Sequence, residues 1–187
     1  MAVLRRTLLA LLYGTVGIAV FVRSAAGAEA PTEYQVKAVF VFNFSHFVEW
    51  PPQALTDPNQ PFVIGIVGND PFGVRLDEAV RGERIDQHPL SVRRFRTVAD
   101  IGDCQILYVG RSESAQLRQI LEALDHRGTL TVSDLDGSSE RGVMIQFVTE
   151  NSRIRLRINV ESARAAGLTI SSKLLRPAEI VSTAAGD

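Results

Sequence analysis

The sequence predicts an α/β protein: a single three-layer-like domain with a mixed, largely parallel sheet flanked by helices and a C-terminal antiparallel hairpin. Three observations carry this. Strand-like runs at residues 61–67, 89–95, 105–109 and 129–132 alternate with helical patterns, the arrangement of βαβ units. Within the third run, Ile106, Leu107, Tyr108 and Val109 are continuously apolar, as a strand buried on both faces requires. Residues 143–148 and 153–159 then read as a hairpin around Glu150-Asn151.

The elements follow in order. Arg5 and Arg6 precede an uncharged apolar run over residues 8–22, and Ala26-Gly27-Ala28 fits an A-x-A cleavage pattern. This order predicts that residues 1–28 are a cleavable signal peptide and that the chain is exported to the periplasm. The run is about 15 residues, short of the ~20 that span a bilayer. Residues 29–187 then form one domain on length. Thr32 and Gln35 form a capping-box pattern, and the helix they start should run to Trp50, where Pro51-Pro52 stops it. Val36, Phe40, Phe44, Phe47 and Val48 fall on one helical stripe, the expected core face. Val39, Phe42 and Trp50 lie towards the polar arc that holds Asn43, Ser45, His46 and Glu49. Apolar residues there call for a covering layer or a partner, so Val39, Phe42, His46 and Trp50 are the candidate partner-binding residues.

Asn69 or Asp70 should cap a second helix with Pro71 at its first position. Ser112 should cap a third over residues 113–126, ended by Gly128 and buried through Leu117, Ile120, Leu121 and Leu124. Residues 134–142 read as a polar loop tip. Asn159 should cap a short helix ending at Gly167, and the tail from Ser171 carries a last short helix or strand.

Composition narrows the function. The full chain has 20 basic and 21 acidic residues; residues 1–28 carry three arginines and no acid, so their loss moves the net charge from −1 to −4. That argues against a nucleic-acid polymer as partner. The basic residues are arginines except Lys37 and Lys173. Arginine holds carboxylate or phosphate in a planar fork and so suits an acidic partner. Cys104 is the only cysteine, which forbids an intrachain disulfide; its apolar neighbours predict a buried thiol.

The motifs carry little catalytic signal. Gly65, Gly68 and Gly73 match neither G-x-G-x-x-G nor a Walker loop. His46, His88 and His126 have no metal-ligand spacing, and the acidic run from Asp134 to Glu140 lacks the bidentate Glu of a calcium loop. No G-x-S-x-G is present, and Ser171-Ser172-Lys173 is not S-x-x-K. No metal, cofactor or enzyme activity is expected. The most informative pattern is Arg153, Arg155 and Arg157 alternating with Ile154, Leu156 and Ile158, which puts three cations on one face of a strand. It reads either as a solvated face or as a docking strip for a carboxylate, a phosphate or an acidic protein surface.

Several blocks resemble the YfiR family. They are Tyr34-Gln35-Val36-Lys37-Ala38, Asn43-Phe44 and Phe47-Val48-Glu49-Trp50-Pro51; Val67-Gly68-Asn69-Asp70-Pro71-Phe72-Gly73; Cys104-Gln105-Ile106-Leu107-Tyr108; Leu130-Thr131-Val132-Ser133-Asp134; Arg153 through Asn159; and Gly167 through Leu175. The resemblance covers nearly the whole chain after residue 28. It implies a periplasmic α/β protein, often a homodimer and without enzymatic activity. The family's best-known member represses a membrane diguanylate cyclase by binding its periplasmic region, so the resemblance implies repression of such a cyclase, with lower cyclic di-GMP and biofilm formation. It also implies a small-molecule site near the terminal hairpin and following helix, which here holds Glu150, Arg153, Arg155, Arg157, Arg164 and Arg176. The alternative expectation is a sensor of a small anion or nucleotide acting on another membrane protein, such as a histidine kinase.

Overall fold

The computed structural model describes residues 32–57, 59–125 and 127–184; the predicted signal segment and His126 lie outside them. The first helix, α1 (Glu33–Phe47), begins where the sequence indicates. The Thr32 hydroxyl accepts from the Gln35 N–H, and the Gln35 side chain accepts from the Thr32 N–H, a complete capping box. It stops before Trp50. Val48–Glu49 is instead a short strand, β1, whose backbone pairs with residues 169–170. Pro51 favours that extended approach.

The core stripe of α1 is rotated from the predicted one. Its buried side chains are Lys37, Ala38, Val41, Phe44 and Ser45, while Val36, Phe40 and Phe47 are half-buried. The helix is apolar on most of its circumference, so its pattern defines no single phase. Packing against the sheet selects one: Phe44 stacks on Phe147 at 5.8 Å, with Phe40 edge-on to the same ring at 6.0 Å.

The chain continues through β2 (Phe62–Val67), α2 (Val74–Val80), β3 (Arg84–Ile85), β4 (His88–Phe95), β5 (Ile106–Val109), α3 (Leu117–Ala123) and β6 (Leu130–Ser133). It closes with β7 (Ile145–Glu150), β8 (Arg153–Asn159), α4 (Val160–Ala165), β9 (Thr169–Ile170), α5 (Ser172–Leu175) and β10 (Glu179–Val181). Two helix starts differ from expectation. Asp70 does not cap α2; its carboxylate accepts from the N–H groups of Phe72 and Gly73, folding a turn that delays the helix to Val74. Ser112 does not cap α3; its hydroxyl accepts from the Asn69 N–H and donates to Glu113, and a 3-10 turn fills residues 111–113. Asn159 does cap α4, accepting from the Ser162 N–H. The β7–β8 turn places Asn151 and Ser152 at φ +49° and +59°, the primed geometry of a tight hairpin.

Among the described residues the main sheet has eight strands in the order β10-β8-β7-β6-β5-β2-β4-β3. Strands β4, β2, β5, β6 and β7 are parallel; β8 turns back antiparallel to β7, and β10 runs parallel to β8. The strands divide their side chains by alternation. Phe62, Ile64, Ile66, Ile106 and Tyr108 face the layer that includes α1 and α2, whereas Val63, Val67, Leu107 and Val109 face α3 through Leu117, Ile120 and Leu124. This is the expected fold class, with helices on both faces. No helix among the described residues is long and apolar enough to cross a membrane.

Candidate functional site

Of the candidate partner residues, Val39, Phe42 and His46 lie along α1, and Trp50 follows β1. Val39 is 51% exposed. Phe42 is half-buried and meets the exposed His46 edge-on at 5.3 Å. Spacings of three and four residues set these side chains in one strip. Trp50 is more deeply committed: its indole N–H donates to the Gln105 carbonyl at 3.0 Å, and its ring stands edge-on to Phe62 at 4.9 Å. His46 and Trp50 line a cleft of about 500 Å³, floored by Phe62 and Leu55 and rimmed by Arg84 and His88. His46 belongs to both the strip and the cleft.

The arginine strip has the predicted alternation. Arg157, Arg155 and Arg153 stand opposite Gln146, Val148 and Glu150 in the hairpin register. Leu156 and Ile158 are buried on the other face, with Ile154 packed against the same core. The arginines have different surroundings. Arg157 donates to Glu179 at 2.9 Å and lies 3.8 Å from Glu140. Arg153 and Arg155 are exposed and form no ion pair among the described residues, and the same holds for Arg164 and Arg176. Glu150 is exposed at the hairpin tip. None of these six lines the cleft above or the smaller cavity described below.

A third feature has no counterpart among the sequence expectations. Within residues 134–142, read as a polar loop tip, Leu135, Ser138 and Ser139 are buried, and Asp134 is fully so. The Lys37 ammonium, also buried, donates to Asp134 Oδ2 at 2.9 Å, and the Tyr34 hydroxyl donates to the same oxygen at 2.9 Å. Lys37 also meets Glu33 at 2.6 Å, and Arg111 Nε lies 3.3 Å from Asp134 Oδ1. Burial pushes the Asp134 carboxyl up, but the Lys37 ammonium and the neighbouring Tyr108 and Tyr34 hydroxyls reverse this and hold it below the usual range. Burial, with the bond to Asp134, pushes Tyr34 up to about 12. Two signals were present: Lys37 is one of two lysines among 20 basic residues, and Asp134 directly follows a buried strand.

Fold and site together define a class. The parallel strands β4-β2-β5-β6-β7 follow the 2-1-3-4-5 order of a doubly wound, flavodoxin-like sheet, extended by an antiparallel hairpin. Within that class, the YfiR/HmsC-like family model (DUF4154) matches residues 34–179, and the chain belongs to this family. Membership places it, at family level, among regulatory rather than catalytic proteins in the context of cyclic di-GMP signalling. Among solved structures, a conserved domain protein of Vibrio cholerae matches with a TM-score of 0.54 at 13% identity. The match covers 80% of this chain and 60% of that one, so this chain spans less than two thirds of that protein. This likeness speaks for the fold. Comparison with curated proteins returned no match.

Proposed function

We propose that the protein is exported, loses residues 1–28, and works in the periplasm. There it holds the outer region of an inner-membrane diguanylate cyclase in its inactive state and so lowers cyclic di-GMP. Family membership supports the regulatory part of this reading. The observation that carries the docking part is the strip of Val39, Phe42 and His46 beside the cleft at the end of α1. The opposite side of α1 is used by the sheet; on this side Val39 is exposed, and Phe42, packed in part against the core, is only half-buried. Deleting the gene should raise cellular cyclic di-GMP, and the wild-type gene should restore it. The Val39→Glu/His46→Glu variant should accumulate normally and fail to restore it. Unchanged cyclic di-GMP in the deletion strain overturns the cyclase reading.

A second reading is supported by the hairpin. Arg153 and Arg155 stand on one strand face without ion-pair partners among the described residues, an arrangement suited to a small anion. In that reading the protein senses an anion or nucleotide for a membrane sensor such as a histidine kinase. Arg155→Ala/Arg157→Ala should then abolish a ligand-induced rise in melting temperature.

A further inference from the structure

The carboxyl ends of β2 and β5 are a point of divergence: the chain leaves β2 for β4 on one side and β5 for β6 on the other. Doubly wound sheets open a crevice at such a switch point, and their ligands bind there. Here the crevice is a cavity of about 130 Å³, bounded by Tyr34, Asp70, Tyr108, Arg111, Ser112 and Asp134. Drug-sized ligands fill about 300 Å³ or more. This cavity has room for roughly four groups the size of water, at ~30 Å³ each.

Its walls carry unused bonding capacity. Tyr108 is fully buried; its hydroxyl lies beside Asp134 and helps keep that carboxyl low, but it makes no hydrogen bond of normal geometry among the described residues. Asp134 Oδ2 is occupied by Lys37 and Tyr34, whereas Oδ1 is buried with no hydrogen bond there and only the 3.3 Å contact to Arg111 Nε. Buried polar atoms left unpaired are costly, and bound ligands or waters commonly relieve them. Arg111 stands at the mouth with its side chain 61% exposed, and its terminal guanidinium nitrogens make no bond to the described residues.

The charges select the ligand. Lys37 and Arg111 balance Glu33 and Asp134, and the other carboxylate at the cavity, Asp70, is paired with Arg94 at 2.8 Å. A lone anion would face the Asp134 carboxylate, and a lone cation would face Arg111. A group bearing both charges can enter between them. It exchanges one long ion-pair contact for two of opposite sense, with no change in net charge. We propose that this cavity binds a small zwitterion, an α-amino acid of the size of glycine, alanine or serine. Its ammonium donates to Asp134 Oδ1 and the Tyr108 hydroxyl, and its carboxylate accepts from the Arg111 guanidinium. This site is separate from the strip and cleft at the far end of α1, and its test does not depend on partner docking.

The experiment is calorimetric titration of the dialysed protein with glycine, L-alanine and L-serine, beside acetate and methylamine as single-charge probes. At least one zwitterion binds, and the single-charge probes bind at least about tenfold more weakly, the value of one charge-assisted hydrogen bond. Arg111→Gln is an exposed change whose fold is checked by circular dichroism; it weakens zwitterion binding by about tenfold or more. Tyr108→Phe keeps the ring and weakens it by a smaller factor. The proposal is overturned by absence of zwitterion binding at millimolar concentration, by acetate or methylamine binding as tightly, or by wild-type affinity in Arg111→Gln.

Discussion

Lys37 and Asp134, 97 positions apart in the chain, form a buried ion pair at 2.9 Å that fastens α1 to the end of β6. The lysine is 1% exposed and the aspartate 0%. Such a pair is expensive to desolvate, and it persists here because further groups share the charge: Tyr34 donates to the aspartate, and Glu33 accepts from the lysine. Glu33 is in turn held by the Thr149 hydroxyl, which ties the helix start to β7 as well.

Removing one partner should therefore cost far more than removing both. Lys37→Met leaves the buried Asp134 carboxylate with only the 3.3 Å contact to the exposed Arg111 as counter-charge and should destabilise the protein by up to about 3–5 kcal/mol in urea unfolding. Lys37→Met/Asp134→Leu should recover a substantial part of that loss. A single variant as stable as wild type would show that the pair is absent in solution.

The same network sets an acid dependence. Asp134 and Glu33 are both held below their ordinary values of 3.8 and 4.5, Asp134 by bonds that outweigh its burial and Glu33 chiefly by its bond to Lys37. A carboxyl with a lowered folded value contributes its full stability above the unfolded value and loses it as pH falls through the folded one. Wild-type stability should therefore decline below about pH 4.5, where the unfolded chain begins to bind more protons. In Lys37→Met the decline should be shallower, because its buried Asp134 gains from protonation. Parallel pH profiles for the two proteins would contradict this.

Cys104 should be chemically silent in the native protein. It is buried among Phe95 and Leu107, and burial, then the charge of Asp103, pushes its thiol up to about 12. A thiol reagent should label it at the rate of unfolding rather than on mixing, and a non-reducing gel should show no crosslinked dimer. Its unfolded value is near 9.0, so its contribution to stability is present below that pH and is lost between about pH 9 and 12, as the unfolded chain ionises first. Fast labelling of the folded protein would refute this assignment.

Legibility in the sequence follows the range of the interactions involved. The capping box at Thr32, the buried run Ile106–Val109, the β7–β8 hairpin and the cap at Asn159 are local, and each stands where its pattern indicates. The starts of α2 and α3 escape local pattern because two good caps by residue type are used otherwise: Asp70 closes a turn of its own on the Phe72 and Gly73 N–H groups, and Ser112 accepts from the Asn69 N–H of another loop. The phase of α1 escapes it because a helix apolar all round has no intrinsic face. Lys37 is illegible because its partner lies in a segment whose acids resemble an exposed turn. On the hairpin, alternation identifies the face of Arg157 and cannot identify its partner, because Glu179 arrives from β10.

The loops at the switch point supply a last measurable consequence. Gly68 has φ +83°, a conformation that side chains resist, and a Cβ there would collide with the Ser112 hydroxyl and the Glu113 carboxylate. Gly82 has a similar φ of +77°, and a Cβ there would meet nothing within 4 Å among the described residues. The pair therefore separates backbone strain from close approach. Gly82→Ala should cost about 1 kcal/mol, the backbone share alone. Gly68→Ala should cost that and roughly 1–3 kcal/mol more, the range for overpacking a filled site. Thermal or urea unfolding of the two variants measures the difference directly. Equal losses would mean that the Ser112–Glu113 turn gives way freely, and that the hydrogen bond from the Asn69 N–H to Ser112 does not fix the spacing of the β2 and β5 loops.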